Sequence, residues 1–392
     1  MPDTTDASRL SHDPSRPIGL VLSGGGARGA FQVGVWEVLS TDPRGMHGHA
    51  PGVISGTSAG ALNGALIAAG VPPRRMLDFW LDLARSPPVV ANDEFFRSLR
   101  RALTRAVLRE PGRTLGRRGR ELRIIAGLLR KHNTLSPSGL LSAVLEFVLT
   151  ARFDTVSDLL DSITTSYLFD TEPMKERLRA AMGAPVLKDT QVRLALNVVD
   201  VHTGGVVRIV NFPPAKRSDA SARHYRYEPV ITPEMILASA SIPLLFNPVR
   251  VHDQDLWDGG LLVNTPLAPA VALGARRIIP VLVTPERRAA PPGPVTMGLA
   301  IERLADAFLE NAYNNDRKLL LDRNALAERL GNSEYKQVEL FRALRPESSR
   351  TFNAGSYLFF ERDALLEMFA AGQRAARRWL AEGPIQDDPR SE

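Results

Sequence analysis

None of the 392 residues is a cysteine. That absence excludes a disulfide framework, a thiolate metal site and a cysteine nucleophile together. Long hydrophobic runs are missing too: the longest, such as 278–283, fall far short of the ~20 residues a membrane span requires. The first sixteen residues are polar, carry Asp3 and Asp6, and lack the apolar stretch of a signal peptide. Histidine is sparse, and none follows His252. What remains is a chain with 44 % hydrophobic and 23 % charged residues, the composition of a folded globular protein. Its length suits one large domain or two. The expected location is the cytoplasm.

The net charge of +6 is unevenly spread. From Arg97 to Lys131 there are twelve Lys and Arg against only Glu110 and Glu121, so one segment carries the basic character of the whole chain. Such a segment asks for an anionic partner or surface.

Residues 1–16 read as a disordered tail. A short apolar run at 18–23 leads into glycines, and helical spacing follows through Phe31, Val35, Val38 and Leu39. A second buried strand at 53–55 runs directly into a small-residue helix. Two strand–loop–helix units in succession predict an α/β fold with parallel strands. Residues 77–181 are almost wholly helical in pattern, so a helical insertion is expected over 84–171. Strands return at 192–199 and 206–210, joined at Thr203-Gly204-Gly205, and a second hairpin is expected around His252. A buried strand at 278–283 precedes a proline-rich loop, and the spacing then predicts helices over 297–330 and 364–380. Residues 286–392 thus form a helical C-terminal extension to a domain at 17–285.

Two glycine-rich motifs carry chemistry. Gly56-Thr57-Ser58-Ala59-Gly60, between a strand and a helix, has the layout of a nucleophile elbow, with the serine lifted from the sheet and glycines allowing close passage on both sides. The same pattern suits a tight turn with a capping serine. Gly24-Gly25-Gly26-Ala27-Arg28-Gly29 is far rarer by chance, and its uncluttered backbone can turn several N–H groups toward one anion, either a phosphate or an oxyanion. It also fits a dinucleotide fingerprint. That reading requires an acid at the end of the next strand, where Ser55-Gly56 stands instead. No histidine occupies the late position that a Ser–Asp–His hydrolase needs. The remaining candidate base is Asp258 in Trp257-Asp258-Gly259-Gly260, which in isolation also reads as an ordinary Asp-Gly turn. A carboxylate with its usual pKa of ~3.9 becomes a useful base only when partly desolvated.

Taken in order, these motifs resemble the patatin-like phospholipases: a Gly-Gly-Gly-x-Arg-Gly loop, a Gly-x-Ser-x-Gly elbow, and a later Asp-Gly-Gly. A further family block, Ala-Ser…Pro, is matched by Ala238-Ser239-Ala240-Ser241-Ile242-Pro243. The resemblance implies a mostly parallel central sheet flanked by helices. It implies hydrolysis of lipid acyl esters, most naturally phospholipids, through a Ser–Asp dyad without metal or cofactor. Ser58 would be the nucleophile and Asp258 the base. The N–H groups of Gly25, Gly26 and Ala27 would form the oxyanion hole. Gly24, Arg28, Gly29, Gly56, Gly60, Gly259 and Gly260 would support the motifs, with Arg28 either holding the loop or facing a phosphate.

Outside the resemblance, Arg97, Arg101, Arg105 and Arg109 recur every four residues, opposite Leu99, Leu103 and Val107. This basic amphipathic helix either docks on the core or lies on an anionic membrane. No aromatic residue is interleaved from Arg97 to Lys131 to stack on bases, which argues against nucleic acid. Two rival readings stand beside a lipid hydrolase: a nucleotide-binding protein using residues 24–29, and a non-catalytic membrane-associating protein. The sequence leaves the oligomeric state open.

Overall fold

A computed structural model describes residues 10, 12–86, 90–95, 97, 98, 101, 165–214, 224–285, 297–331, 337–352, 354–357 and 360–387. Of the basic helix expected at 95–110 only residues 95, 97, 98 and 101 are described, and most of the expected insertion lies outside the described residues. So do most of the amino-terminal tail and the proline-rich loop. The chain divides into two compact units, Met1–Val90 with Thr171–Glu392, and Ala91–Asp170. In the latter, the described residues include the strand Tyr167–Asp170.

The larger unit is built on one sheet. Its strands are β1 (Ile18–Leu22), β2 (Val53–Gly56), β3 (Arg193–Asp200), β4 (Val206–Val210), β5 (Tyr225–Tyr227), β6 (Val249–Val251), β7 (Gln254–Asp258), β8 (Arg277–Val281) and β9 (Glu339–Leu340). Their order is β9-β8-β1-β2-β3-β7-β6, with β4 and then β5 on the other edge of β3. The central run from β9 to β3 is parallel throughout. The antiparallel pairs are the hairpins β3–β4 and β6–β7 and the joint between β3 and β7.

Period-two alternation divides the core into two layers. Leu20, Leu22, Ile54, Leu194, Leu196, Ile279 and Val281 face one cluster, which includes α1 (Gly29–Thr41), α2 (Ala59–Ala68), α3 (Pro73–Arg85) and residues of α4 (Glu172–Met182) and α5 (Pro233–Ala238). Val21, Val53, Ala195 and Ile278 face the other, with α6 (Leu267–Ala272) and Tyr313 and Leu320 of α7 (Met297–Leu330). A sheet with helices on both faces is the α/β architecture that the alternating pattern predicts.

The C-terminal region is helical, as its periodicity predicts, and it also completes the sheet. Strand β9 pairs with β8, and α8 (Arg362–Glu382) packs along α1. The two-residue β9 is too short to show a strand period, so the sequence does not announce it. The tail reading also needs correction where the chain is described: Leu10 is buried in the main cluster, and Arg16 reaches Glu339 of β9. A single buried leucine in a polar stretch gives no periodic signal.

Helices α1 and α8 approach through reciprocal glycines. A Cβ on Gly34 would lie 2.0 Å from the Phe369 carbonyl oxygen, and one on Gly372 would lie 2.1 Å from that of Phe31. Both neighbours are helix backbone and cannot step aside singly. Gly372→Ala is therefore expected to destabilise the protein by about 1–3 kcal/mol, despite alanine's higher helix propensity. Chemical denaturation with an unchanged m-value would measure it.

Candidate active site

The site forms where two strands meet head-on along one edge of β3. The first half of β3 pairs with β2, Leu196 opposite Gly56, and the second half pairs with β7, Val198 opposite Asp258. Strand β4 occupies the opposite edge across Ala195–Val199. Strands β2 and β7 therefore point at each other from the two ends of one edge, with only Asn197 between their last partners. Ser58 follows the end of β2, and Asp258 is the last residue of β7. The side chain of Asn197 closes the gap by donating to the Gly56 carbonyl at 2.9 Å.

Ser58 adopts φ 55° and ψ −124°, a backbone conformation that costs a serine about 1–3 kcal/mol. The strained turn is held on both sides. A Cβ on Gly60 would lie 2.2 Å from the Leu22 carbonyl oxygen, so the elbow helix α2 sits directly against β1. The Ser58 N–H donates to Ser239 Oγ at 3.1 Å, and that hydroxyl donates to the Asn197 carbonyl at 2.6 Å. Asp258 N–H donates to the Ser241 carbonyl at 2.9 Å. The block from Ala238 to Pro243 thus grips both residues at once.

The Ser58 side chain is close enough to the Asp258 carboxylate to pull its pKa down, and Asp258 Oδ1 accepts from the Gly260 N–H at 2.7 Å. Both residues are buried, at 6 % and 5 % exposure. Burial raises the Asp258 pKa to about 7 against the opposing pull of Ser58 and the Gly260 N–H. A carboxyl poised near neutrality can both take a proton and return it. His202 and His252 are exposed and contact Asp255 and Glu228 instead.

The glycine loop lies alongside. A Cβ on Gly24 would lie 3.2 Å from Ser58 Cβ, so this backbone passes in contact with the serine. The Gly24 N–H is occupied by the Asn264 carbonyl, and Gly26-Ala27-Arg28 form a 3₁₀ turn opening α1. Among the described residues, no protein acceptor meets the N–H groups of Gly25, Gly26 or Ala27. These donors stand at the start of a helical segment, where partial positive charge collects. Arg28 is fully buried beneath the loop, in contact with Ser356 and Val283 and away from any open cleft.

A buried network that the sequence does not reveal fixes these pieces. Gln32 donates to the Ser23 carbonyl at 2.7 Å, Asn63 donates to Gln32 and to the Gly29 carbonyl, and Trp80 donates to Asn63, each at 2.9 Å. It ties β1, α1, α2 and α3 together behind the site. Asn264 also borders the site. Its Oδ1 is buried without a partner among the described residues and would lie 2.4 Å from a Cβ on Gly24 and 3.3 Å from one on Gly260. Among the described residues, no cluster of His, Asp and Glu is arranged to hold a metal ion. A cavity beside Ile18, Gly52, Arg193 and Arg277 opens at the starts of the strands, the far end of the sheet from Ser58.

Sheet, elbow, glycine loop and facing carboxylate together define an α/β hydrolytic fold with a serine at the end of a central strand. Residues 20–271 match the family described as Patatin, the patatin-like phospholipases, and the chain belongs to that family. It is a lipid acyl hydrolase. No curated protein matches the chain as a relative. Among solved structures, VipD from Legionella pneumophila is 14 % identical, with 92 % of this chain and 68 % of that chain covered at a TM-score of 0.33. The type III effector protein ExoU is 16 % identical, with 94 % of this chain and 53 % of that chain covered, also at a TM-score of 0.33.

A carboxyl with its folded pKa raised to about 7 binds a proton that the unfolded chain releases near ~3.9. Stability is therefore lost as pH rises between those values, and the loss is complete above about 7. Asp258→Asn removes the titration while keeping the acceptor for Gly260. The stability of the variant relative to wild type is expected to grow by about 2 kcal/mol from pH 5.5 to pH 8. Paired denaturation curves at the two pH values would show it; an equal difference at both would contradict the raised pKa.

Proposed function

We propose that this protein hydrolyses fatty-acyl esters of phospholipids through a Ser58–Asp258 dyad. The observation that carries the proposal is the convergence of Ser58, after the end of β2, and the buried Asp258, at the end of β7, on one edge of β3, beside a loop whose N–H groups meet no protein acceptor among the described residues. Asp258 takes the hydroxyl proton as Ser58 Oγ bonds to the ester carbonyl carbon. Negative charge moves to the carbonyl oxygen, where the N–H groups of Gly25, Gly26 and Ala27 receive it. Collapse breaks the ester bond, and protonated Asp258 gives its proton to the leaving alkoxide, the lysophospholipid. Water then loses a proton to Asp258 and attacks the acyl-serine. The fatty acid departs, and the proton returns to Ser58 Oγ. No step calls for a metal or a cofactor.

Two parts of this reading lie beyond the site. The head group makes phospholipid the natural substrate for an enzyme reaching an anionic surface, and the basic segment from Arg97 to Lys131 supplies the attraction. Each Lys or Arg near such a bilayer contributes about 1 kcal/mol at most, so several act together. Among the described residues no helix is long and apolar enough to cross a membrane. We place the protein in the cytoplasm, peripherally bound.

Ser58→Ala is expected to abolish turnover of phospholipid vesicles and to block labelling by a fluorophosphonate. Asp258→Asn is expected to lower kcat by about 10²–10⁴-fold, with the fold intact by circular dichroism. In wild type, kcat/KM should rise with pH to a plateau above about 7, as the base form of Asp258 fills. Turnover retained by Ser58→Ala would end the proposal. Reversal of Arg97, Arg101, Arg105 and Arg109 to Glu is expected to abolish co-sedimentation with anionic vesicles and to spare hydrolysis of a soluble ester. Vesicle binding that survives the reversal would remove the basic segment from the mechanism.

A further inference from the structure

The glycine loop is held from below by residues outside the matched family region. Arg28, the loop's one charged side chain, is completely buried. Its Nε donates to Ser356 Oγ at 2.8 Å and its Nη1 to the Val283 carbonyl at 3.2 Å. Its guanidinium carbon lies 3.6 Å from the ring centre of Tyr357, and Phe352 flanks it at 5.8 Å. The Tyr357 hydroxyl donates to Asp306 Oδ1 at 2.8 Å, and the same oxygen stands 3.7 Å from Arg28 Nη1. A buried guanidinium needs such partners, because its desolvation costs several kcal/mol on an order-of-magnitude scale. The tyrosine therefore serves two groups, its face covering the cation and its hydroxyl fixing the carboxylate that balances it.

The same residue also touches the loop directly. Gly26 has φ +54°, and a Cβ there would lie 1.9 Å from the Tyr357 carbonyl oxygen. Tyr357 thus presses its backbone against the middle glycine while its ring grips the arginine two residues on. We propose that Tyr357 is a positioning residue for the oxyanion loop. It sets the direction of the Gly25, Gly26 and Ala27 N–H groups through Arg28 and Gly26, so that the C-terminal region is part of the active site. This rests on the reading of those N–H groups as the oxyanion hole of a Ser58 hydrolase.

The distinguishing property is where the effect falls. A loop that stabilises charge developing in the transition state changes kcat and leaves ground-state binding alone. On a soluble short-chain ester such as p-nitrophenyl butyrate, Tyr357→Leu is expected to lower kcat about 10–100-fold, with KM within about threefold of wild type. Tyr357→Phe keeps the ring over the guanidinium and is expected to recover kcat to within about fivefold. A folded Tyr357→Leu protein with wild-type kcat, or one whose loss lies in KM, would overturn the proposal; so would a phenylalanine variant as impaired as the leucine one. Should Tyr357→Leu fail to fold, Ser356→Ala decides. Loss of one hydrogen bond to Arg28 Nε is expected to lower kcat about 3–10-fold at unchanged KM and near-unchanged melting temperature; full kcat there overturns the proposal. The underlying hydrolase reading fails differently: wild type would be inactive, or Ser58→Ala active, and the present proposal would fall with it. Failure of the present proposal alone leaves wild type active and Ser58→Ala inactive.

Discussion

One edge of β3 has to serve two strands that run toward each other, and the rest of the site follows from that constraint. Backbone pairing leaves no freedom in where β2 and β7 stop: Gly56 and Asp258 are fixed opposite Leu196 and Val198. The side chain that each strand delivers at its end is thereby aimed at the other. Hydrogen-bonded sheet is the most rigid scaffold a protein has for such a purpose, and sites on strand ends are held more closely than sites on free loops. The residues of the block from Ala238 to Pro243 then need only close the junction, which Ser239 and Ser241 do with one hydrogen bond apiece to the two facing segments.

Burial does the chemical part. An aspartate at the surface would remain a weak base with a pKa near ~3.9. At the end of β7 the same group loses its water, and the hydrogen bond from Gly260 and the neighbouring Ser58 only partly make up for it, which leaves its pKa at about 7. The elbow adds strain at Ser58, and the loop adds N–H groups that meet no protein acceptor among the described residues. Each of these is unfavourable in the resting protein. Two well-packed hydrophobic layers and the closed Gln32–Asn63–Trp80 network offset them. That division is typical of enzymes, where the site departs from the local rules and the scaffold obeys them.

Much of this was legible in the sequence because the informative residues are local. The glycines before α1, the Gly-x-Ser-x-Gly turn and the Asp-Gly-Gly at the end of β7 each need a special backbone, and a special backbone leaves its mark in adjacent residues. The hairpins β3–β4 and β6–β7 and the helices α7 and α8 announce themselves by spacing for the same reason. Other features depend on partners far along the chain and leave no such mark. Nothing about Tyr357 or Ser356 says that they meet Arg28, and a two-residue strand such as β9 has no period to read. The grip of Ser239 on the Ser58 amide is equally silent, because a serine at the end of a short helix reads first as a cap or turn residue.

The joining of distant segments has a consequence for the order in which the chain is made. Synthesis proceeds from the amino-terminal side, so the glycine loop and the elbow are made before β7 and the C-terminal region. Asp258 is made long after Ser58, and Ser356 is 328 residues behind the arginine it binds. A nascent chain therefore carries its serine before it carries the carboxylate that faces it or the platform beneath its loop. A product that stops short of Asp258, however well it folds, lacks both.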